Sequence, residues 1–74
     1  MDTLATQTRG RWTKVAAVGG QRAFRRRLLE MGFVAGTPVR VVGVAPMGDP
    51  MELELRGGRV SIRHAEARHI MVDP

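Results

Sequence analysis

The chain has 74 residues and no cysteine, which leaves room for one small domain and excludes disulfides and thiolate metal sites. Its 12 basic residues outnumber 7 acidic ones, and the net charge of +5 favours an anionic partner. No apolar stretch approaches the roughly 20 residues that span a bilayer, and the N-terminus lacks signal-peptide character, so we expect a soluble, cytoplasmic protein.

The N-terminal region is polar apart from Leu4. We expect residues 1–8 to form a flexible tail and residues 9–74 to form a single domain. A first strand is predicted from Arg11 to Val18, and the Gly19-Gly20 pair ends it.

A helix is predicted from Gln21 to Met31. Its apolar residues Phe24, Leu28 and Met31 recur at i, i+4 and i+7, which is one stripe of a helix. Gly32 follows directly and suits a left-handed C-terminal cap. The opposite side of this helix carries the arginines at positions 22, 25 and 26, with another at the edge of the stripe, position 27.

Strand signals dominate the second half of the chain. The segment Val39–Ala45 is rich in β-branched residues, and Gly43 within it is a candidate bulge. A turn bounded by Pro46 and Pro50 follows. A single helical turn is predicted over residues 65–68 and a closing strand over residues 69–72.

The clearest pattern is a β-hairpin. Apolar residues alternate with charged ones over residues 51–56, and alternation resumes over residues 59–63 after Gly57-Gly58. This pattern predicts two strands joined by a two-residue Gly57-Gly58 loop, with one apolar face and one charged face. The whole chain is therefore predicted to be mainly β, a small antiparallel barrel of about five strands with one helix inserted after the first strand.

No enzymatic constellation is recognisable. Ser61 lies on the charged face of the hairpin with no base assigned to it, and no glycine-rich phosphate loop is present. Glu52 and Glu54 share an exposed face with arginines, which favours solvated ion pairs over acid–base catalysis. We therefore predict that the chain is not an enzyme.

A metal site is the weaker of two candidate sites. His64, Glu66 and His69 have the spacing H-x-E-x-x-H, and such nitrogen and oxygen ligands suit Fe²⁺ or Zn²⁺. The spacing matches no established metal motif, so two ordinary surface histidines are the favoured interpretation. We expect no required cofactor and leave open a weak divalent metal site.

The helix arginines are the other candidate. Arg22, Arg25 and Arg26 could bind phosphate or carboxylate groups, although a solvated helix face explains them equally well. Phe33 and Met47 lie in or beside loops and are the candidate apolar docking residues. A nucleic-acid-binding barrel is the alternative function, and the chain's three aromatic residues make it second choice because single-strand binders use several stacking platforms.

The sequence also resembles the FeoA family, ferrous iron transport protein A. The resemblance rests on residues 26–33 (RRLLEMGF), 36–42 (GTPVRVV), 45–53 (APMGDPMEL) and 60–63 (VSIR), and it extends from about Arg9 to Val72. It implies an SH3-like barrel in a free-standing cytoplasmic protein.

The resemblance further implies a partner, the FeoB-type ferrous iron permease, which the protein would bind from the cytoplasm to modulate uptake. The partner-binding residues predicted here are Arg22, Arg25, Arg26, Phe33 and Met47. We expect no nucleic-acid partner, and we expect the protein to contact the membrane only through the permease. Weak homo-oligomers that pair through open strand edges are left open.

Overall fold

Residues 2–73 of the computed structural model form one five-stranded antiparallel sheet, in the order β4-β3-β2-β1-β5, with two short helices and a 3₁₀ turn. The elements are the 3₁₀ turn Leu4–Thr6, β1 Thr13–Val18, α1 Arg22–Glu30, β2 Pro38–Val44, β3 Met51–Leu55, β4 Gly58–Ile62, α2 His64–Ala67 and β5 Ile70–Asp73. The predicted architecture of five strands with a helix after the first is confirmed. No helix within these residues is long and apolar enough to cross a membrane.

The core is built from residues of every strand, of both helices and of the 3₁₀ turn. β3 shows how a strand contributes to this core. Its buried apolar residues alternate with half-buried charged residues, because successive side chains of a strand point to opposite faces of the sheet. The buried apolar residues are Leu4, Val15, Leu28, Phe33, Val39, Val41, Met51, Leu53, Leu55, Ile62, Ala67, Ile70 and Val72.

The N-terminal segment is part of the domain, and the prediction of a flexible tail over residues 1–8 is wrong for the described residues 2–8. Leu4 is fully buried in the core. Thr3 forms a β-bridge with Met71, and the Val72 N–H donates to the Asp2 carbonyl at 2.9 Å. The burial of a single leucine and these backbone bonds hold the segment against the outer edge of β5. Met1 lies outside the described residues.

Helix α1 begins one residue later and ends one residue earlier than predicted, and its apolar stripe faces the sheet as expected. Leu28 is fully buried, and Phe24 and Met31 pack against the core. Gly32 follows with φ +110°, and the Phe33 N–H donates to the Leu28 carbonyl at 3.2 Å. The predicted glycine cap is therefore confirmed, because the left-handed conformation that it needs is readily adopted by glycine.

Strand β2 carries the predicted irregularity at Gly43. Its pairing with β3 is regular from Val39 to Val41 and shifts by one residue between Val41 and Gly43. Such a bulge increases the local twist and lets a short sheet curl. A second shift, between Val15 and Ala17 in the pairing of β1 with β5, does the same on the other side of the sheet.

The hairpin turn is one residue earlier than predicted. Leu55 pairs with Gly58, so the two-residue loop is Arg56-Gly57 instead of Gly57-Gly58. Both loop residues have positive φ, +54° and +76°, which is the conformation of a type I′ turn. In the observed register Leu55 pairs with Gly58, whereas a Gly57-Gly58 loop would pair Arg56 with Arg59. Each residue's partner is then displaced by an even number of positions, so the apolar face predicted from the alternation is the same in both registers. Sequence alternation alone therefore could not separate them.

Candidate docking surface

Helix α1 presents its arginines to solvent. Arg22, Arg25 and Arg26 are all exposed, because the helix turns the Leu28 side inward. Arg26 lies 3.5 Å from Glu30, one turn further along. Within residues 2–73, Arg22 and Arg25 make no ion pair, so their guanidinium groups are available to an anionic partner.

The neighbouring Arg27 is engaged differently. Its guanidinium contacts the carboxylate of Glu66 in α2. The same carboxylate accepts the backbone N–H of Arg63 at 2.8 Å, directly before α2. Only 15% of the Glu66 side chain is exposed. This carboxylate thus joins α1 to α2 and caps α2 at the same time.

A second contact places the β2–β3 turn beside α2. The backbone N–H of His64, the first residue of α2, donates to Asp49 Oδ1 at 2.7 Å. Met47 lies at the tip of this turn and is 92% exposed. α1, α2 and the turn 46–49 therefore follow one another on the surface, and we call this surface the α1–α2 face.

Of the predicted apolar docking residues, only Met47 is accessible. Phe33 is fully buried, because the glycine cap at Gly32 turns the chain back across the core at that point. The predicted docking role of Phe33 is therefore wrong, and the residue is a core residue. The sequence does not distinguish an exposed docking residue from a core residue at this position, because a large apolar residue directly after a helix cap is compatible with both roles.

The predicted metal ligands are not brought together. No group of three or more His, Asp or Glu side chains within residues 2–73 is placed to hold a metal ion. Glu66 is occupied by Arg27 and by the Arg63 N–H. The His69 ring packs edge-on against Phe24, with 5.1 Å between ring centroids. The interpretation of His64, Glu66 and His69 as a shared site is therefore wrong for this fold.

The charged face of the β3–β4 hairpin forms the ion pairs expected of it. Arg59 Nη1 lies 3.1 Å from Glu52 Oε1, and Arg40 Nη2 of β2 lies 2.7 Å from Glu54 Oε1. These carboxylates are paired with arginines, which agrees with the solvated, salt-bridged face predicted from the sequence.

One surface feature is missed by the sequence pattern. Trp12, the only tryptophan of the chain, is 48% exposed. The guanidinium of Arg40 lies over its ring, 4.7 Å from the centroid. The predicted first strand, Arg11–Val18, includes Trp12, and nothing in the local alternation predicts that its side chain faces outward. The one available signal is its position directly before β1, where the chain is not yet enclosed by the sheet.

Comparison with known proteins assigns the chain to a family. The model of the FeoA domain matches residues 3–74. A relative from Porphyromonas gingivalis, an Fe(2+) transport protein A/Fe(2+) transporter FeoB fusion protein, is 41% identical over 59 residues, which is 80% of this chain. The chain spans 7% of the length of that fusion protein.

Solved structures of related proteins share the fold. The FeoA protein of Chlorobium tepidum is 35% identical, with a TM-score of 0.89 over 97% of this chain and 69% of that one. The FeoA of Stenotrophomonas maltophilia, solved with zinc and described as a prokaryotic SH3 domain protein, is 32% identical, with a TM-score of 0.87 over 99% of this chain and 91% of that one. The predicted SH3-like barrel is confirmed, and the chain belongs to the FeoA domain family.

Proposed function

We propose that this chain is a non-catalytic, cytoplasmic accessory protein of ferrous iron uptake that docks onto the FeoB-type permease and modulates transport. The observation that carries the proposal is the Porphyromonas gingivalis relative, in which a matching segment belongs to one polypeptide with a ferrous iron transporter. Fusion keeps two domains at a high effective concentration, which is useful when they act on each other. A docking surface serves the same purpose where no linker joins the two domains.

The α1–α2 face is the surface that we propose for docking. Arg22, Arg25 and Arg26 would steer the protein onto an acidic patch of the permease, because exposed charges act mainly on the rate of encounter. Met47 would then insert as an apolar anchor, since a side chain that is 92% exposed has surface to bury. Phe33 takes no part, because it is already in the core.

The non-catalytic part of the proposal is supported by the family. The matching model is that of the FeoA domain, and the relatives compared above are described as iron transport proteins or transport-activating factors and not as enzymes.

No required metal cofactor is part of the proposal. The zinc complex of the Stenotrophomonas maltophilia relative is compatible with weak divalent metal binding by this chain. Equilibrium dialysis against Zn²⁺ and Fe²⁺ measures it directly. Ferrous iron itself is the cargo of the permease in this account.

Docking is tested by co-purification with the FeoB-type permease of the same organism, at about 150 mM salt, where exposed charges are screened beyond roughly 8 Å. A single-stranded RNA pool is present as competitor. We expect the wild-type chain to be retained on the permease. Retention should be lost when the three α1 arginines are reversed (R22E, R25E, R26E).

The matched control reverses three exposed arginines outside the α1–α2 face, R11E, R56E and R59E. Both variants carry the same net charge, so a difference between them reports position and not total charge. Loss of retention in both variants would indicate nonspecific attraction. Absence of retention together with capture of the RNA would overturn the proposal in favour of a nucleic-acid-binding barrel.

A further inference from the structure

The turn between β2 and β3 presents one methionine to solvent. The Gly48 N–H donates to the Ala45 carbonyl at 2.8 Å, and the Ala45 N–H donates to the Pro50 carbonyl at 3.0 Å. Met47 therefore occupies the third position of a β-turn, between Pro46, whose ring fixes φ, and Gly48, which has no side chain. Neither neighbour covers the Met47 side chain, which is why 92% of this residue is exposed.

The backbone of this turn is fixed although the Met47 side chain is free. The two hydrogen bonds within the turn hold its ends together. Asp49 Oδ1 accepts the His64 N–H at 2.7 Å, which fastens the turn to the start of α2. The exposure of Met47 is therefore a property of the folded domain and does not depend on fraying of the turn.

The other described methionines are shielded by the fold. Met51, the first residue of β3, is 3% exposed and belongs to the core. Met31 and Met71 are half-buried, and Met31 packs against the core. An oxidant must reach the thioether sulfur to react with it, so oxidation of a methionine follows its exposure. Among residues 2–73, the fold therefore sets Met47 apart as the methionine that an oxidant reaches first.

We propose that Met47 is a modification site at which a peroxide oxidises the thioether and thereby controls docking onto the permease. A lone pair of the sulfur attacks one oxygen of hydrogen peroxide, an S–O bond forms and the O–O bond breaks. The second oxygen leaves as water, so the sulfur is oxidised by two electrons and the peroxide is reduced by two. This inference rests on the proposed function, in which Met47 is the apolar anchor of the α1–α2 face.

Oxidation changes what Met47 offers to a partner. The sulfoxide is polar and chiral, and its oxygen is a hydrogen-bond acceptor. Burying that oxygen in an apolar pocket without a donor is unfavourable. The arginines at positions 22, 25 and 26 keep their charges, so steering toward the permease continues and the loss falls on the lifetime of the complex.

The modification is reversible and suits the proposed setting. Methionine sulfoxide is reduced back to methionine by dedicated reductases, and a sulfoxide at the tip of an exposed turn is accessible to them. Peroxide is a chemically fitting signal, because it reacts with ferrous iron, which is the cargo of the permease in the proposed function. Met47 would then report the presence of peroxide to the iron uptake system.

The modification site is tested first, without the permease. The folded chain is treated with hydrogen peroxide for increasing times, digested with trypsin and sequenced by mass spectrometry. Met47 and Met51 lie in one tryptic peptide, residues 41–56, so each serves as a reference for the other. We expect Met47 to be oxidised at least about tenfold faster than Met51, and this difference should vanish in urea. Equal rates in the folded chain, or faster oxidation of Met31 or Met71, would overturn the proposal.

The effect on docking is tested by binding kinetics on the immobilised permease. The oxidised wild-type chain should dissociate about tenfold faster, with an unchanged association rate, and treatment with a methionine sulfoxide reductase should restore slow dissociation. An M47Q variant, with a polar side chain of similar length, should resemble the oxidised chain without any peroxide. Circular dichroism verifies that the oxidised chain is folded. Unchanged binding of the oxidised wild-type chain would overturn the proposal.

The matched control is M47L, which keeps an apolar side chain and has no sulfur at this position. We expect M47L to bind like the wild type and to keep its affinity after the same peroxide treatment. An equal loss in M47L would assign the effect to another methionine and overturn the proposal.

Failure of this inference is distinguishable from failure of the proposed function. If the untreated wild-type chain does not bind the permease, the proposed function fails, and control of docking by Met47 fails with it. The oxidation rates are measured on the isolated chain, so they decide the modification site independently of the permease.

Discussion

Glu66 and Arg27 form the ion pair that joins the two helices of this small domain. The Glu66 carboxylate also accepts the Arg63 N–H, so one side chain both caps α2 and ties it to α1. A four-residue helix has no stability of its own in water. The position of α2 therefore depends on this carboxylate and on the burial of Ala67. The continuity of the α1–α2 face depends on the same two features.

Replacing Glu66 with alanine should lower the free energy of unfolding by about 1–3 kcal/mol, because a largely buried acceptor for a backbone N–H is lost together with its ion pair. The matched control is E30A, which removes the carboxylate of the exposed Arg26–Glu30 pair. That change should stay within about 0.5 kcal/mol. Urea denaturation of both variants measures the difference, and equal effects would contradict the role of Glu66.

The N-terminal segment gives a second prediction. L4A should lower the free energy of unfolding by about 2–4 kcal/mol, since a fully buried leucine leaves a cavity when it is truncated. L29A, at a partly exposed leucine of α1, should have less than half of that effect. A flexible N-terminal tail would instead make L4A the harmless variant of the two.

Alanine substitutions at two neighbouring glycines test the position of the hairpin turn. G57A forces alanine into φ +76° and should destabilise the domain by about 1 kcal/mol. G58A should be tolerated, because Gly58 lies in β4 and an added Cβ would come no nearer than 4.0 Å to the Leu55 carbonyl. Thermal denaturation compares the two variants. A larger loss for G58A would indicate the Gly57-Gly58 loop that the alternation alone predicts.

Phe33 and Met47 should behave in opposite ways. F33A should lower the free energy of unfolding by about 3–5 kcal/mol, because it empties part of the core. M47A should leave the stability unchanged, since its side chain is 92% exposed, and should weaken binding to the permease. Titration calorimetry with the purified permease measures the second effect. If F33A lost affinity for the permease at unchanged stability, and M47A kept its affinity, Phe33 would be the docking residue and Met47 would not.

Much of the fold is predictable from local pattern. The strict alternation over residues 51–55 specifies which face is buried, and the i, i+4, i+7 stripe specifies α1. Gly32 marks the helix cap because glycine readily adopts a positive φ, and Gly43 marks the bulge in β2. Each of these features depends only on residues that are close to one another in sequence. Family resemblance supplied the SH3-like topology, which alternation alone does not specify.

Apart from the hairpin loop, where two registers fit one alternation, the failed predictions involve contacts that are distant in sequence. Leu4 is buried because it meets β5, which lies at the other end of the chain. The apparent ligand Glu66 is occupied by Arg27, 39 residues away. Trp12 is half exposed and contacts the guanidinium of Arg40, which lies in β2. Local composition carries no record of such partners. The exposure of the α1 arginines follows from the helix pattern, and their docking role stays a prediction. The predictions for Phe33 and for the shared metal site were wrong.

The most direct measurement is ferrous iron flux into proteoliposomes that contain the purified FeoB-type permease, with and without this chain. We expect the wild-type chain to change the initial rate of iron flux at least about twofold, which is a small coupling between two proteins. The R11E/R56E/R59E control should keep this effect, and the R22E/R25E/R26E variant should lose it. An initial rate that is unchanged by saturating wild-type chain would contradict the account, because docking without an effect on transport is not modulation.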